Sequence, residues 1–435
     1  MAECLWEFTG RPALRASYNV QIAMDTPDEI TPQRASLMDL AKYFTRLGFT
    51  AFGGPAAHVA LMHDDLVVRR RWISAQHYVD LLGAVQLVPG PNSTEMAIHI
   101  GYTHQRLKGM LVSGLGFILP AFFIVLALSI FYVAYGSLPQ VSALLYGIQP
   151  VVVAIVVQAV YKLGLTSCRK PAMLLLAIAA LLVTLLVSLN TVLVIVGGGL
   201  VGVLLYSSRR GLGIATVMLF SMPLNLWRQA VEAISPTFTR LFWFFLTVGA
   251  TAMGSGYVLV SYLADQLVNR YGWLTQQQLV DAIVVGQMTP GPVFTTAAFA
   301  GYVIMAGPTN DILRGTAGAA VSTLGIFLPA FFIVWALGER IARLRQSRSL
   351  GAFLDGVNAA VVGSIAATSW GLFQTATLNL PAPVLPLSLA DGVVDLAAVA
   401  LFGAALALLI ALPRLNATWL ILGGALAGWL LVSFV

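Results

Sequence analysis

Long uninterrupted apolar runs constrain this chain more than any other feature of its sequence. Such runs occur at 111–135, 174–189, 191–206, 315–337 and 396–412. A helix needs roughly 20 apolar residues to cross the hydrocarbon core of a bilayer. Only 10% of the residues are charged, whereas charged residues supply about 25% of an ordinary soluble domain. The sequence therefore predicts an all-α polytopic membrane protein embedded in a lipid bilayer.

Composition also narrows the classes of function. The Lys and Arg residues behind the net charge of +6 lie mostly in short loops, where they set membrane orientation, so no nucleic-acid partner is expected. Cys4 and Cys168 lie far apart in sequence and form no zinc motif. Without a nucleotide loop or a Ser/His/Asp set near a break, we expect no enzyme and no cofactor. No metal is expected either, because no known ligand spacing links the five histidines, His58, His63, His77, His99 and His104.

The chain contains an internal duplication. Residues 72–91 and 273–292 align at a constant offset of 201 residues, and 8 of the 20 positions are identical. Further along, the segment LPAFFIV at 119–125 recurs unchanged at 328–334. A repeat of this length predicts two homologous halves.

The duplication sets the expected domain boundaries. We predict a polar N-terminal tail at 1–36 and a first membrane half at 37–207. A connector at 208–240 then leads into a second membrane half at 241–435.

Loop charges predict opposite orientations for the two halves. Arg106 and Lys108 precede the first LPAFFIV segment, and no cation follows it closely. In the second copy most cations follow the segment, namely Arg340, Arg343, Arg345 and Arg348. Because cytoplasmic loops are enriched in Lys and Arg, the first copy should run outward and the second inward. Inverted halves of this kind are common in secondary transporters.

Glycine and proline interrupt four of the apolar segments. Each half has a glycine-rich break, at 53–55 and 254–256, and a Pro-Gly-Pro break, at 89–91 and 290–292. Proline lacks a backbone donor and displaces its predecessor from the helical region, so Pro-Gly-Pro cannot lie inside a continuous helix. Each interrupted segment is either a broken span or a re-entrant hairpin, which predicts about 10–13 membrane segments in total.

The breaks mark the candidate binding site. Irregular backbone at membrane depth is tolerated only beside protein or a wet cavity. A helix that starts at such a break presents free N–H groups carrying about half a positive charge, which favours an anion. Hydroxyl and amide side chains nearby add donors for a tetrahedral oxyanion. The predicted substrate-binding residues are Gly53, Gly54, Pro55, Gln86, Pro89, Gly90, Pro91, Asn92, Ser93, Thr94, Gly254, Ser255, Gly256, Gln287, Pro290, Gly291, Pro292, Thr295 and Thr296.

A simpler interpretation is that Pro-Gly-Pro only makes a tight turn, although its presence in both halves argues for a shared role. Four charged residues near the breaks are candidates for charge compensation or ion coupling. Glu95 follows the first break and fits either proton coupling or pairing with Lys42 or Arg46. Asp80 and Asp281 fit either coupling or an interfacial cap or ion pair, and Arg46 fits either anion attraction or snorkelling.

The ordered set of motifs resembles the chromate ion transporter family in its long, two-domain form. In the first half the resemblance rests on FGGP at 52–55, QLVPGPN at 86–92 and LPAFF at 119–123. In the second half it rests on GQMTPGPVFTTAAFAGY at 286–302 and GIFLPAFF at 325–332. The match covers nearly the whole chain.

The resemblance implies a multi-pass carrier of the cell inner membrane that exports chromate and confers chromate resistance, with sulfate as a structural analogue. It also implies a role for the motif positions at 53–55, 89–92 and 290–292. One departure is Met253, where the family often has Phe. Transport of sulfate or another oxyanion, and a channel-like anion pore, stay as alternatives. The coupling ion and the oligomeric state, including a homodimer, are left open.

Overall fold

The computed structural model describes residues 34–86, 88–136, 138–187, 189–208, 235–253, 256–338, 348–378, 380, 383–389, 392–412 and 415–433. Most of the predicted tail and connector, and the arginines at 340–345, lie outside these residues.

The described residues of the first half form seven helices. The first three are short, and Gly54–His63 continues as a π-helix over Asp64–Arg69. The bounds are α1 Leu37–Thr50, α2 Gly54–His63, α3 Ala75–Val85, α4 Asn92–Tyr135, α5 Pro139–Ser167, α6 Pro171–Val187 and α7 Thr191–Ser208.

The described residues of the second half repeat this order with eight helices and one hairpin of strands. A π-helix at Leu263–Arg270 extends α9, and a 3-10 turn at Val293–Thr295 precedes α11. The helices are α8 Phe238–Thr251, α9 Val258–Tyr262, α10 Gln276–Met288, α11 Thr296–Ala306, α12 Ile312–Leu337, α13 Arg348–Thr377, α14 Leu396–Ala411 and α15 Ala417–Ser433. The strands β1 Pro386–Leu389 and β2 Gly392–Asp395 pair antiparallel before α14.

Equivalent capping residues start the short helices of both halves. Ser36 caps α1 and Thr237 caps α8, each accepting a hydrogen bond from the amide three residues later. Ser74 and Thr275 do the same for α3 and α10. A hydroxyl at this position satisfies one of the free donors of the first turn. These caps fix where each short helix begins.

The helix α4 is a pair of arms that fold back on each other. Gln105 and Arg106 have non-helical backbone angles, which divides the helix into a short arm at 92–104 and a long arm at 107–135. A side chain on Gly101 would collide with the backbone of Gly109 on the returning arm. Residues eight apart in a straight helix are about 12 Å apart, so this contact requires a reversal.

The segments with glycine-rich breaks are re-entrant hairpins. The amide of Ala35, before α1, donates to His104 Nδ1 at 3.3 Å. The ring of Trp72, after the π-helical extension of α2, also packs against His104, with centroids 5.9 Å apart. The chain therefore enters and leaves at the same face, here called the basic face because it also carries Arg69 and Arg70.

Twelve membrane segments result among the described residues. Eight are spans, formed by the long arm of α4 and by α5, α6, α7, α12, α13, α14 and α15. Of these, α4, α5, α12 and α13 are the four whose length and apolar character alone suffice to cross a bilayer. The other four segments are re-entrant hairpins made of short helices, two in each half. This count lies within the range expected from the sequence.

The two halves are inverted relative to each other. Asp80 in α3 lies near the basic face, but its counterpart Asp281 in α10 bonds Tyr132 at the far end of the long arm of α4. At the basic face, Lys170 forms an ion pair of 3.1 Å with Asp355 near the start of α13. The helix equivalent to α13, which is α5, starts at the opposite face after Tyr135. Equivalent helices thus run in opposite directions, as the loop charges predicted.

Each half packs its central span against the terminal helices of the other half. Gly147 of α5 approaches the backbone of Gly424 and Gly428 in α15, and its counterpart Gly356 of α13 approaches Gly198 and Gly202 in α7. Small residues allow helices to pack closely in a membrane, where burial of apolar surface adds little driving force. The largest cluster of buried apolar residues accordingly draws on both halves.

Candidate functional site

The breaks of the two halves are joined by reciprocal hydrogen bonds. The amide of Gly90 donates to the carbonyl of Ala252 at 2.7 Å, and the amide of Gly291 donates to the carbonyl of Ala51 at 2.9 Å. Ala51 and Ala252 are the C-terminal caps of α1 and α8. Carbonyls in the last turn of a helix have no partner within it. Each Pro-Gly-Pro therefore satisfies the end of a helix in the other half.

The central positions of both Pro-Gly-Pro motifs require glycine. Gly90 has φ +139° and Gly291 has φ +87°, in the region that side chains disfavour. A Cβ on Gly291 would also lie 2.7 Å from Ala121 Cβ and 3.1 Å from the carbonyl oxygen of Gly48. Tight packing between the halves thus adds to the conformational requirement at Gly291.

Two helices begin in the protein interior next to these hydrogen bonds. They are α4 after the first Pro-Gly-Pro and, following a 3-10 turn, α11 after the second. At the first, the amides of Thr94 and Glu95 donate to the carbonyl of Pro91, and the amides of Asn92 and Ser93 have no acceptor among the described residues. At the second, Thr295 donates to the carbonyl of Pro292 from both its amide and its hydroxyl. Free amides at a helix start favour an anion, because their partial positive charges point at the same place.

A small cavity adjoins the second helix start. Its lining includes Gly256, Gln287 and Thr296, three of the residues selected from the sequence. The space accommodates about one water molecule. This space is too small for a tetrahedral oxyanion.

Several predicted site residues are exposed or fall outside the described residues. Gln86 and Gly53 are exposed. Gly254 and Ser255 fall outside the described residues. Arg46 is exposed on α1, whose opposite face buries Leu47 among others, so it does not line the centre as the anion-attracting interpretation required.

The two aspartates of the repeat have different surroundings. Asp281 is 2% exposed and accepts hydrogen bonds from Tyr132 Oη at 2.7 Å and Gln149 Nε2 at 2.8 Å. Both donors come from the first half, so the expected ion pair with a loop cation is wrong for Asp281. Its counterpart Asp80 is half-buried and accepts a bond from Gln76 Nε2 at 3.1 Å.

The structure also corrects one interpretation of Glu95. Its side chain is 1% exposed, and neither carboxyl oxygen has a hydrogen-bond partner in the described part of the chain. Lys42 and Arg46 lie on the exposed face of α1, so neither forms the ion pair that was expected. The orientation of α1 explains this, because its buried stripe consists of apolar residues.

Sequence reasoning missed residues that act through their backbone. Ala51 and Ala252 accept the bonds that join the halves, yet alanine carries no chemical signal of such a role. His58 Nε2 also lies 3.0 Å from the carbonyl oxygen of Ala51. Ala51 and Ala252 lie directly after α1 and α8 and are 201 residues apart, which is the offset of the repeat. That offset was the signal that could have identified the two alanines.

Comparisons with known proteins agree with this architecture. The family model described as chromate transporter matches residues 38–203 and 239–429, one region in each half. The chain is 31% identical to a chromate transport protein of Pseudomonas aeruginosa, over 95% of this chain and 97% of that protein. It is 30% identical to the chromate transport protein of Cupriavidus metallidurans, over 90% of this chain and 92% of that protein.

A probable chromate transport protein of Synechococcus elongatus is 32% identical, over 80% of this chain and 87% of that protein. No solved structure matches the chain. With two matched regions, inverted halves and relatives that match almost end to end, the chain belongs to the chromate transporter family and is a multi-pass membrane transport protein.

Proposed function

We propose that this chain exports chromate across a bacterial-type inner membrane and binds the oxyanion at the helix starts after the two Pro-Gly-Pro breaks. The observation that carries the proposal is the pair of buried helix starts, which the reciprocal bonds of Gly90 and Gly291 hold at the centre. The names of the relatives support chromate as the substrate. Sulfate has the same shape and charge and should compete.

The direction of transport follows from charge. Moving one charge across 100 mV is worth about 2.3 kcal/mol, so a dianion leaving a negative-inside cell gains about 4.6 kcal/mol. Export can therefore proceed on the membrane potential. The basic face, with Arg69, Arg70 and Lys170, is then the cytoplasmic face by the positive-inside rule.

The small cavity beside the second helix start fits a carrier better than an open pore. The cavity beside Gln287 and Thr296 has room for about one water molecule. A conducting pore needs a continuous wet path, whereas a carrier passes through closed states between its two open forms.

Transport into inside-out vesicles tests the function. Vesicles containing the protein should accumulate chromate when the lumen is made positive, and should stop when the potential is reversed. Sulfate should inhibit this uptake more than phosphate does. Equal accumulation in vesicles without the protein would contradict export, and single-channel currents would point to a pore.

Two substitutions test the location of the site. Asn92→Ala removes a side-chain donor beside the first helix start. Thr295→Val removes a hydroxyl that donates to the carbonyl of Pro292 in this structure and turns to the anion when it binds. Each should raise the KM for chromate about tenfold, as expected for one hydrogen bond to a charged group. Thr323→Val is the matched control, because the Thr323 hydroxyl also donates to a backbone carbonyl, that of Ala319 in α12. Unchanged KM values in both site variants would place the site elsewhere.

A further inference from the structure

One set of buried polar groups has no role in the binding site proposed above. Within the part of the chain that the structure describes, both carboxyl oxygens of Glu95 and the Nε2 atoms of His77, His99 and His104 are buried without a hydrogen-bond partner. All four residues belong to the first half. Unpartnered polar atoms in protein interiors are uncommon and call for an explanation.

These residues form a connected series, here called the Glu95 series: Glu95, His99, His77 and His104. Glu95 and His99 lie four residues apart on the short arm of α4, which places them on one face of the helix. His77 lies on α3, which packs against α4, and its Nε2 atom is buried. His104 accepts a hydrogen bond from the amide of Ala35 at the basic face. The series therefore leads from the first break to the basic face.

The inner end of the series lies at the helix start itself. Glu95 Oε1 occupies the place that a Cβ on Gly90 would need. An ionised carboxylate there is an anion already present beside the free amides of Asn92 and Ser93. A second anion cannot approach the same amides without strong repulsion.

The second half has no ionisable group at the equivalent places. Thr295 and Thr296 occupy the turn after its Pro-Gly-Pro, with Thr296 Oγ1 against Gly286. Counting back from the Gly-Tyr pairs at 101–102 and 301–302, Phe299 takes the place of His99. The series is thus an addition to the shared backbone and not a requirement of the fold.

Other titratable groups near the series come from the helices packed around the short arm. They include Tyr43 on α1, His58 on α2 and Asp80 on α3. Arg34 also lies near His104, because the amide of the next residue, Ala35, donates to the His104 ring. His58 is held by the carbonyl of Ala51, and Asp80 accepts a bond from Gln76. No ion pair or hydrogen bond to Glu95 arises from these groups.

We propose that Glu95 is a proton-binding site, that an oxyanion binds at the start of α4 only when Glu95 is protonated, and that His99, His77 and His104 relay this proton between Glu95 and the basic face. The proposal rests on the proposed function, since it concerns the same anion site. Each dianion that binds is then accompanied by one proton taken up by Glu95.

Proton uptake on binding tests the proposal directly. Chromate is added to the purified protein in weakly buffered detergent solution, on the alkaline side of neutrality where chromate is a dianion, and a pH dye reports protons taken up. The wild type should take up about one proton per chromate bound, and its affinity should fall about tenfold per pH unit, the linkage expected for one proton. Glu95→Gln should still bind chromate, without proton uptake and without this pH dependence.

Proton uptake that persists unchanged in Glu95→Gln would overturn the proposal. Binding by the wild type with neither proton uptake nor pH dependence would also overturn it, even if Glu95→Gln did not fold. His99→Phe copies the second half, and it should keep the stoichiometry while slowing proton uptake at least tenfold in stopped-flow mixing. An unchanged rate of proton uptake in His99→Phe would contradict the relay through His99. A wild type that binds no chromate at any pH would contradict the proposed function instead.

Discussion

At the first break, the carboxyl group of Glu95 lies against Gly90, whereas at the second break the hydroxyl of Thr296 lies against Gly286. Both breaks share the same backbone bonding between the halves, with reciprocal bonds to Ala252 and Ala51. Duplication has therefore kept the backbone that joins the halves, while the side chains beside it have diverged. Substitutions at equivalent places can separate what the fold requires from what one half has gained.

The largest difference is expected between Gly291→Ala and Gly90→Ala. A Cβ at 291 meets Ala121 and the backbone of Gly48, whereas at 90 it meets only the flexible side chain of Glu95. In both variants the alanine must adopt a positive φ, which strains the backbone. At 291, overpacking against backbone adds to this strain. Gly291→Ala should cost about 3 kcal/mol and abolish transport, and Gly90→Ala about half of that.

The thermal unfolding and the vesicle transport of Gly291→Ala and Gly90→Ala are compared with those of the wild type. Gly272→Ala is the matched control, because Gly272 has φ +61° but a Cβ added there would meet nothing within 4 Å. Equal losses at 90 and 291 would mean that packing between the halves does not distinguish the breaks.

The next largest difference is expected between the paired aspartates. Asp281→Ala leaves the buried donors of Tyr132 and Gln149 without an acceptor, and should lower the free energy of unfolding by about 3 kcal/mol. Asp80→Ala, at a half-buried position beside Gln76, should cost about 1 kcal/mol or less. Chemical denaturation in detergent compares them, and similar losses would contradict the buried role of Asp281.

A smaller effect, equal in both halves, is expected at the glycine contacts between long helices. Gly147→Ala would push against the backbone of Gly424, and Gly356→Ala against that of Gly198. Each should cost about 1–3 kcal/mol by overpacking. Gly403→Ala, where a Cβ meets nothing within 4 Å, should be neutral. A loss of stability in only one of the two variants would show that the packing of α5 against α15 and that of α13 against α7 are not energetically equivalent.

The smallest effect is expected at the exposed ion pair between the halves. The side chains of Lys170 and Asp355 are 68% and 51% exposed, so solvent and salt screen their attraction. Lys170→Ala should change the free energy of unfolding by less than about 1 kcal/mol. A larger loss in low salt, which high salt removes, would assign this pair a greater part in joining the halves.

Patterns in the chain predicted the membrane class, the two halves and their inversion. Apolar runs and loop charges are local properties, and the bilayer selects on them directly. The Pro-Gly-Pro motifs were located correctly as breaks because proline cannot continue a helix. Whether the glycine-rich segments cross or return was left open, since both alternatives satisfy the same apolar pattern.

The surroundings of individual side chains could not be predicted from these sequence patterns. Asp80 and Asp281 occupy equivalent positions of the repeat, yet one is half-buried near the basic face and the other bonds two residues of the first half. Arg46 and Glu95 were both plausible near the centre, and only Glu95 is buried there. Which face of a helix meets its neighbours depends on contacts between residues more than a hundred positions apart.

The sequence by itself determined that this chain is a duplicated membrane transporter with four interrupted segments, because hydrophobic length, charge bias and proline geometry act locally. Only the tertiary structure decided that each Pro-Gly-Pro bonds the opposite half and that Glu95 stands without a partner at the first helix start. Those properties depend on which helices meet. Backbone groups that lack a local partner must find one across the interface between the halves.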